Sequence, residues 1–356
     1  MMRWFRHPAE LPHAVPNPPA PPQPAPESAE HLLRRLEWTV LRRLDGVLQG
    51  DWRTFLRGSG LDLADLREYQ PHDDVRHIDW NVTARQQQPH VRVFTEDREM
   101  TAWFLLDLSG SVDFGSGSVT KRQVSRAFVG VLARLFTRRG NRVGALLYGT
   151  GVERVVPAHA SRAHVLRLLH AMQPDASKSI ASRASGSSAK AQKCSDSTPA
   201  GTQLSELLLA AASVLRRRST VFVVSDFISA PGWEKPLARL ALRHDVVAVH
   251  LTDPLELALP DLGLVTLRDA ETGEQMLVDT HSPAFRDRFA AIARQREAAL
   301  TDALAFAGVD ALALSTADDL AESLLRFADL RRQRARLAAG GGLPAHLRPT
   351  PRGNPP

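Results

Sequence analysis

The chain has 356 residues, 43% of them hydrophobic, which is enough for one large or two ordinary domains with a real core. A formal charge of +6 comes from 45 Lys and Arg against 39 Asp and Glu spread along the chain, a balance that would permit an acidic partner but reads mainly as solubility, with no nucleic-acid-binding motif beside it. No apolar run approaches the roughly 20 residues that span a bilayer, and the first residues lack the apolar stretch of a signal peptide, so a cytoplasmic protein is expected. The single cysteine, Cys194, excludes a disulfide framework and a Cys-based zinc site.

In chain order, residues 1–27 are proline-rich and read as an extended, mobile arm. Ser28 then looks like the N-cap of a helix whose Leu33, Leu36, Val40, Leu44 and Val47 recur at helical spacing. Residues 28–99 carry that helix and a segment without regular strand-helix alternation, expected to form a small helical or irregular subdomain. From residue 100 to 337 the pattern changes to short, nearly all-apolar runs separated by amphipathic helices. The runs lie at 103–109, 143–149, 221–227, 246–253 and 310–314, with helices near 160–172, 203–217, 233–243, 285–307 and 318–337. Strands apolar on both faces belong to a sheet covered on both sides. The predicted fold is therefore α/β, a doubly wound, mostly parallel sheet flanked by helices. The Ser- and Ala-rich stretch 175–201 is expected to be a flexible insertion, and 338–356 a disordered tail.

Chemistry concentrates at the ends of two of these runs. Asp107, Ser109 and Ser111 form a D-x-S-x-S row, and Asp226 closes the run "VFVVSDF". Thr202 stands directly after the insertion and just before a helix. In a doubly wound sheet ligands bind at the carboxyl ends of the strands, so three hydroxyls and two carboxylates can converge there. A set made only of oxygen is hard, which suits magnesium, with calcium or manganese as alternatives, and not zinc or copper. A metal held largely by neutral hydroxyls stays electrophilic and keeps a position open for an acidic side chain of a partner.

The row, the later Gly-Thr and the Ser-Asp-Phe together resemble the metal-ion-dependent adhesion site of the von Willebrand factor type A domain. That resemblance implies Ser109, Ser111 and Thr202 as hydroxyl ligands, with Asp107 and Asp226 binding directly or through water. A second block, "FLRGSGLDLADLREYQPHDDVRHIDWNVTAR" at 55–85, and the segment 251–280 are similar to the bacterial Domain-of-Unknown-Function 58 family, whose members are von Willebrand-like and MoxR-associated. This implies a partnership with a MoxR-type AAA+ ATPase, with the protein acting as a non-enzymatic adaptor or co-chaperone for a client protein or complex. The chain departs from the family pattern at His72, at Leu61-Asp62 and at Gln203, none of them a proposed ligand.

Residues 65–85 read as a scaffold, with Asp65, Asp73, Asp74 and Asp79 interleaved with Arg67, Arg76 and Arg85, and with Tyr69, Ile78 and Trp80 as apolar anchors. Asp253, Glu256 and Asp261 lie in "TDP" and "LPD" turns, where turn chemistry comes first. The competing function is a metal-dependent hydrolase or phosphatase using Asp107. An aspartyl phosphatase of the haloacid dehalogenase type would want a second aspartate where Ser109 stands, and no G-x-S-x-G elbow surrounds Ser109 or Ser111. No phosphate-binding G-x-x-x-x-G-K-[ST] occurs, so ATP hydrolysis is expected from a partner.

Overall fold

The computed structural model describes residues 28–44, 62–70, 73, 75, 78–95, 100–173, 202–268 and 275–338. The expected arm 1–27, the insertion 175–201 and the tail beyond Ala338 lie outside them. From the amino end come helix α1 (Ala29–Leu36, prolonged by a π turn over Glu37–Leu41), strand β1 (Asp62–Glu68), helix α2 (Trp80–Gln86) and strand β2 (His90–Thr95). Strand β3 (Thr101–Asp107), helix α3 (Lys121–Arg138), strands β4 (Arg142–Tyr148) and β5 (Val152–His159), and helix α4 (Arg162–Ala171) follow. The rest runs α5 (Leu204–Val214), β6 (Thr220–Ser225), α6 (Glu234–Arg243), β7 (Asp245–Thr252), α7 (Pro254–Leu257), β8 (Leu264–Arg268), β9 (Gln275–Asp279), α8 (Pro283–Ala307), β10 (Asp310–Ser315) and α9 (Leu320–Ala338).

Six strands form one sheet in the order β10-β7-β6-β3-β4-β5, all parallel except β5, which runs antiparallel to β4 at the edge. It is an α/β fold, a mixed and mostly parallel sheet flanked by helices. Strand β5 departs from the expected pattern because it follows β4 through a tight turn, closed by Gly149 N donating to Gly151 O at 3.0 Å, and such a hairpin must be antiparallel. Two antiparallel pairs, β1-β2 and β8-β9, stand outside the sheet.

The central strands show why the sheet is buried on both sides. In β3, Ala102, Phe104 and Leu106 face one core with α1, α3, α4 and α9, while Leu105 faces the other with α5, α6 and α8. Strand β6 repeats the division, Phe222 and Val224 on the first side and Val221 and Val223 on the second. Phe104 stacks on Phe222 at 5.2 Å, and Phe128 of α3 meets both edge-on at 6.3 and 5.9 Å. The N-terminal helix shares this core. Leu33, Leu36, Val40 and Leu44 are all buried in it, as their spacing requires, whereas Val47 lies outside the described residues. Gly130 of α3 lets α1 come this close, since a Cβ there would stand 3.1 Å from Leu36 Cδ1. Arg134 donates to Glu37 at 2.6 Å across the same contact.

At the amino ends of the strands, Arg331 of α9 is buried against two acids. It donates to both oxygens of Asp245 at 2.7 and 3.0 Å and to Asp310 at 3.0 Å, and Arg334 pairs with Asp310 as well. The block at 65–85 differs from its expected form. Asp79 caps α2 by accepting from Asn81 and Val82, but Trp80, expected as an apolar anchor, is 70% exposed at the first position of that short helix. The side chains of Asp65, Arg67, Asp74 and Arg76 lie outside the described residues.

Because α1 is built into the core, Leu33→Ala is expected to lower the unfolding free energy by about 2–5 kcal/mol in one cooperative denaturant transition. A separate early transition with the main one unmoved would make α1 a peripheral element.

Candidate functional site

Strand β3 enters the sheet centre apolar on both faces and ends on Asp107, so its carboxylate is delivered into a fully buried position. A buried charge must find partners, and the chain supplies them from the strand ends. Asp107 Oδ1 accepts from the Ser109 backbone N–H at 3.0 Å, and Oδ2 accepts from Ser225 Oγ at 2.6 Å. The strand stops there. Ser109 leads into a single 3₁₀ turn, Gly110–Asp113, which turns Ser109 Oγ to within 3.2 Å of Ser111 Oγ. Gly115 is needed in the following loop, since a Cβ would fall 2.4 Å from Val119 O. Thr120 and Gln123 then cap α3 reciprocally.

Asp226 follows the last residue of β6. One of its oxygens accepts from Ile228 N at 3.1 Å and the other from the ammonium of Lys121 at 2.8 Å. Ser225 Oγ also accepts from Phe227 N at 2.9 Å, holding Phe227 in a left-handed conformation with φ of 56°. Thr202 is tied to the same loop. Its carbonyl accepts from Ala230 N at 3.0 Å and Ser229 Oγ at 2.8 Å, while Tyr148 OH, at the end of β4, accepts from Gln203 N at 3.0 Å. The five expected residues thus gather at the carboxyl ends of β3, β4 and β6, and all are buried, between 0% and 9% exposed. Asp107, Ser109 and Ser111 form one hydrogen-bonded row, Asp226 acts on Asp107 by its charge, and Thr202 is placed through its backbone.

Sequence reasoning passed over Ser225 and Lys121 and left Glu256 to turn chemistry alone. Ser225 is the first polar residue after the apolar run 221–224, a signal that could have been read. Lys121 opens an amphipathic helix, where a lysine ordinarily reads as solvated, yet it is 1% exposed and also donates to Glu256 at 2.7 Å. Glu256 does what turn chemistry predicts, completing a capping box with Asp253, and in addition takes this ion pair. Asp253 is a cap too, accepting from Leu255 N, Ser116 N and Thr316 Oγ1. Asp261 pairs with His281 at 2.7 Å and stays in its turn. His250 packs edge-on to Phe227 and is pushed below the ordinary histidine range, first by burial, against the pull of Glu297 and Asp226.

Among the described residues, no group of three or more His, Cys, Asp or Glu side chains converges as metal ligands would. A cation here would have to rest on two carboxylates and on hydroxyls. The donor set can serve that use, because Asp226 and Glu256 share the single ammonium of Lys121 and Asp107 lies near enough to Asp226 to feel its charge. Burial, and next the charge of Asp226, hold the Asp107 carboxyl above its ordinary range despite the lowering effect of hydrogen bonds from Ser109 and Ser225.

Residues 65–299 match the family described as a protein of unknown function, DUF58. Uncharacterized protein Rv1480 of Mycobacterium tuberculosis is 38% identical over 267 residues, covering 73% of this chain and 76% of its own length. The chain belongs to the DUF58 family. Uncharacterized protein Mb1516 of Mycobacterium bovis matches to the same extent. Among solved structures, the conserved hypothetical protein BatB of Bacteroides thetaiotaomicron overlaps 66% of this chain and 99% of its own at 13% identity, with a TM-score of 0.39. An aerotolerance-related membrane protein of Bacteroides fragilis overlaps the same shares at 12% identity and a TM-score of 0.39. Likeness at that level carries no argument about the site. The DUF58 match spans Asp107, Lys121, Thr202, Asp226 and Glu256 alike.

Since the folded DUF58 protein holds the Asp107 proton more tightly than the unfolded chain, ionisation removes stability as pH rises from the ordinary carboxylate range through the raised value. Asp107→Asn is therefore expected to melt, metal-free at pH 7, no lower than wild type, with any advantage vanishing below about pH 4, where both side chains are neutral. A variant melting well below wild type at pH 7 would make the carboxylate a net stabiliser.

Proposed function

We infer that this protein is a non-enzymatic, metal-dependent protein-binding module of the von Willebrand factor type A kind, serving a MoxR-type AAA+ ATPase and its client as adaptor or co-chaperone. The observation that carries the reading is the buried cluster, or cup, of Asp107, Ser109, Ser111, Thr202 and Asp226 at the carboxyl ends of the central strands, with Asp107, Ser109 and Ser111 in one hydrogen-bonded row. Two features support it. Numbered by sequence within the sheet, the strands run 3-2-1-4-5-6, so the cup lies where the order reverses, between β3 and β6, the expected place for a ligand. Around it, Phe114, Val119, Ile228 and Leu257 are 40%, 37%, 47% and 42% exposed, an apolar rim suited to a protein partner.

Asp107, Ser109, Ser111, Thr202 and Asp226 would hold a magnesium ion, or calcium or manganese in its place, and the bound ion would supply an electrophilic centre for an acidic side chain of the partner. The hydrolase reading asks Asp107 to attack or to activate water. The Asp107 side chain has no exposure, which leaves no solvent-facing oxygen to attack a substrate.

Calorimetric titration of magnesium, calcium and manganese is expected to show binding in wild type that Asp107→Ala abolishes and Thr202→Ala weakens at least about tenfold, a loss of about 1.4 kcal/mol. Association with the AAA+ ATPase should disappear in excess chelator and in Asp107→Ala, with the far-UV spectrum of the variant unchanged. Association that persists in chelator would move the interface away from the cup. Assays on phosphoester and peptide substrates with magnesium or manganese should show no turnover, and metal-dependent turnover lost in Asp107→Ala would overturn the non-enzymatic reading.

A further inference from the structure

Lys121 is the first residue of α3, a position where the helix dipole disfavours a cation. Even so, its side chain is 1% exposed and its ammonium lies 2.8 Å from Asp226 Oδ2 and 2.7 Å from Glu256 Oε1. Its backbone is fixed as well, the N–H donating to Phe114 O at 2.9 Å. The helix gains nothing from a buried ammonium at this end, so the reason for it lies in the acids it meets. With the ammonium in place both oxygens of Asp226 are taken, one by Lys121 and one by Ile228 N. A divalent ion drawing on Asp226 would meet the ammonium's positive charge at the same carboxylate, so the two compete for it. Displacement does not strand the lysine, because Glu256, itself 28% exposed at its side chain, already holds it.

We propose that Lys121 is a tethered ammonium that competes with the divalent cation for Asp226 and so sets the affinity of the metal site. The inference rests on the metal-site reading above and adds the residue that tunes it. In the metal-free protein the lysine stands in for the cation and keeps Asp226 from lying buried and unpaired. On metal binding it passes to Glu256, at the start of α7, so that occupancy of the cup is felt outside it.

The test is calorimetric titration of magnesium chloride into the full chain and three variants, with melting temperature followed with and without magnesium. Lys121→Met is expected to melt lower without metal, to bind magnesium at least about tenfold more tightly than wild type, and to regain its melting temperature when magnesium is added. Lys121→Arg keeps the charge and should bind within about threefold of wild type. The double variant Lys121→Met, Glu256→Gln removes one positive and one negative charge, leaving the formal balance of the cluster unchanged while freeing Asp226. It guards against a single variant that fails to fold, and it too should bind more tightly. If wild type binds magnesium and the double variant binds no better, Lys121 does not compete and the inference is overturned while the metal site stands. If neither wild type nor any variant binds magnesium, the metal-site reading fails and this inference with it.

Discussion

The hydrogen bond from Ser225 to Asp107, 2.6 Å long and fully buried, joins the ends of β3 and β6 at the point where the sheet changes direction. Everything around the cup depends on it. It satisfies a carboxylate that the apolar strand β3 forces into the interior, and the same hydroxyl accepts from Phe227 N and sets the turn after β6. That turn places Asp226, and through Ser229 and Ala230 it also grips Thr202. A charge-assisted bond in a low-dielectric setting is strong, and losing one partner there costs far more than at the surface. The functional cluster is thus an extension of the core's polar bookkeeping, grown from the need to satisfy one buried acid.

The cup also illustrates the tension between stability and use. Two carboxylates on one buried ammonium, a wholly buried Asp107 and a left-handed Phe227 are features a stability optimum would not contain. The surrounding structure can carry them because the aromatic stack of Phe104, Phe128 and Phe222 and the leucines of α1 lie just beneath, on rigid elements.

Much of this was legible in the chain. Strands β3, β6 and β7 read correctly because residues buried on both faces leave an unbroken apolar run, and the helices because their stripes have the helical period. The ends were less clear: the run 103–109 continues past the strand, which stops at Asp107 where the acid demands a turn. Strand β5 was missed since an edge strand carrying Glu153, Arg154 and Pro157 shows no apolar run, and the antiparallel pairs β1-β2 and β8-β9 were missed for want of a tight-turn signal. The site residues on β3 and β6 could be named from strand-end logic. Lys121 could not, because its burial is decided by Asp226, 105 residues away, and Glu256, 135 residues away, and nothing local distinguishes it from a solvated lysine.

The two ends of the sheet are electrically unlike. At the amino ends of β7 and β10, Asp245 and Asp310 are matched by Arg331 and Arg334. At the carboxyl ends the acids outnumber their cation. On a molecule whose overall charge is +6, this makes the cup a local sink for positive ions within a surface that repels them. Arrival of a small cation should then be governed by the short-range field of the cup, which buried charges keep largely unscreened by salt, while an acidic macromolecule is drawn by the long-range field, which salt weakens. On the proposed function, ionic strength would therefore separate the two encounters, slowing an acidic protein partner far more than the ion.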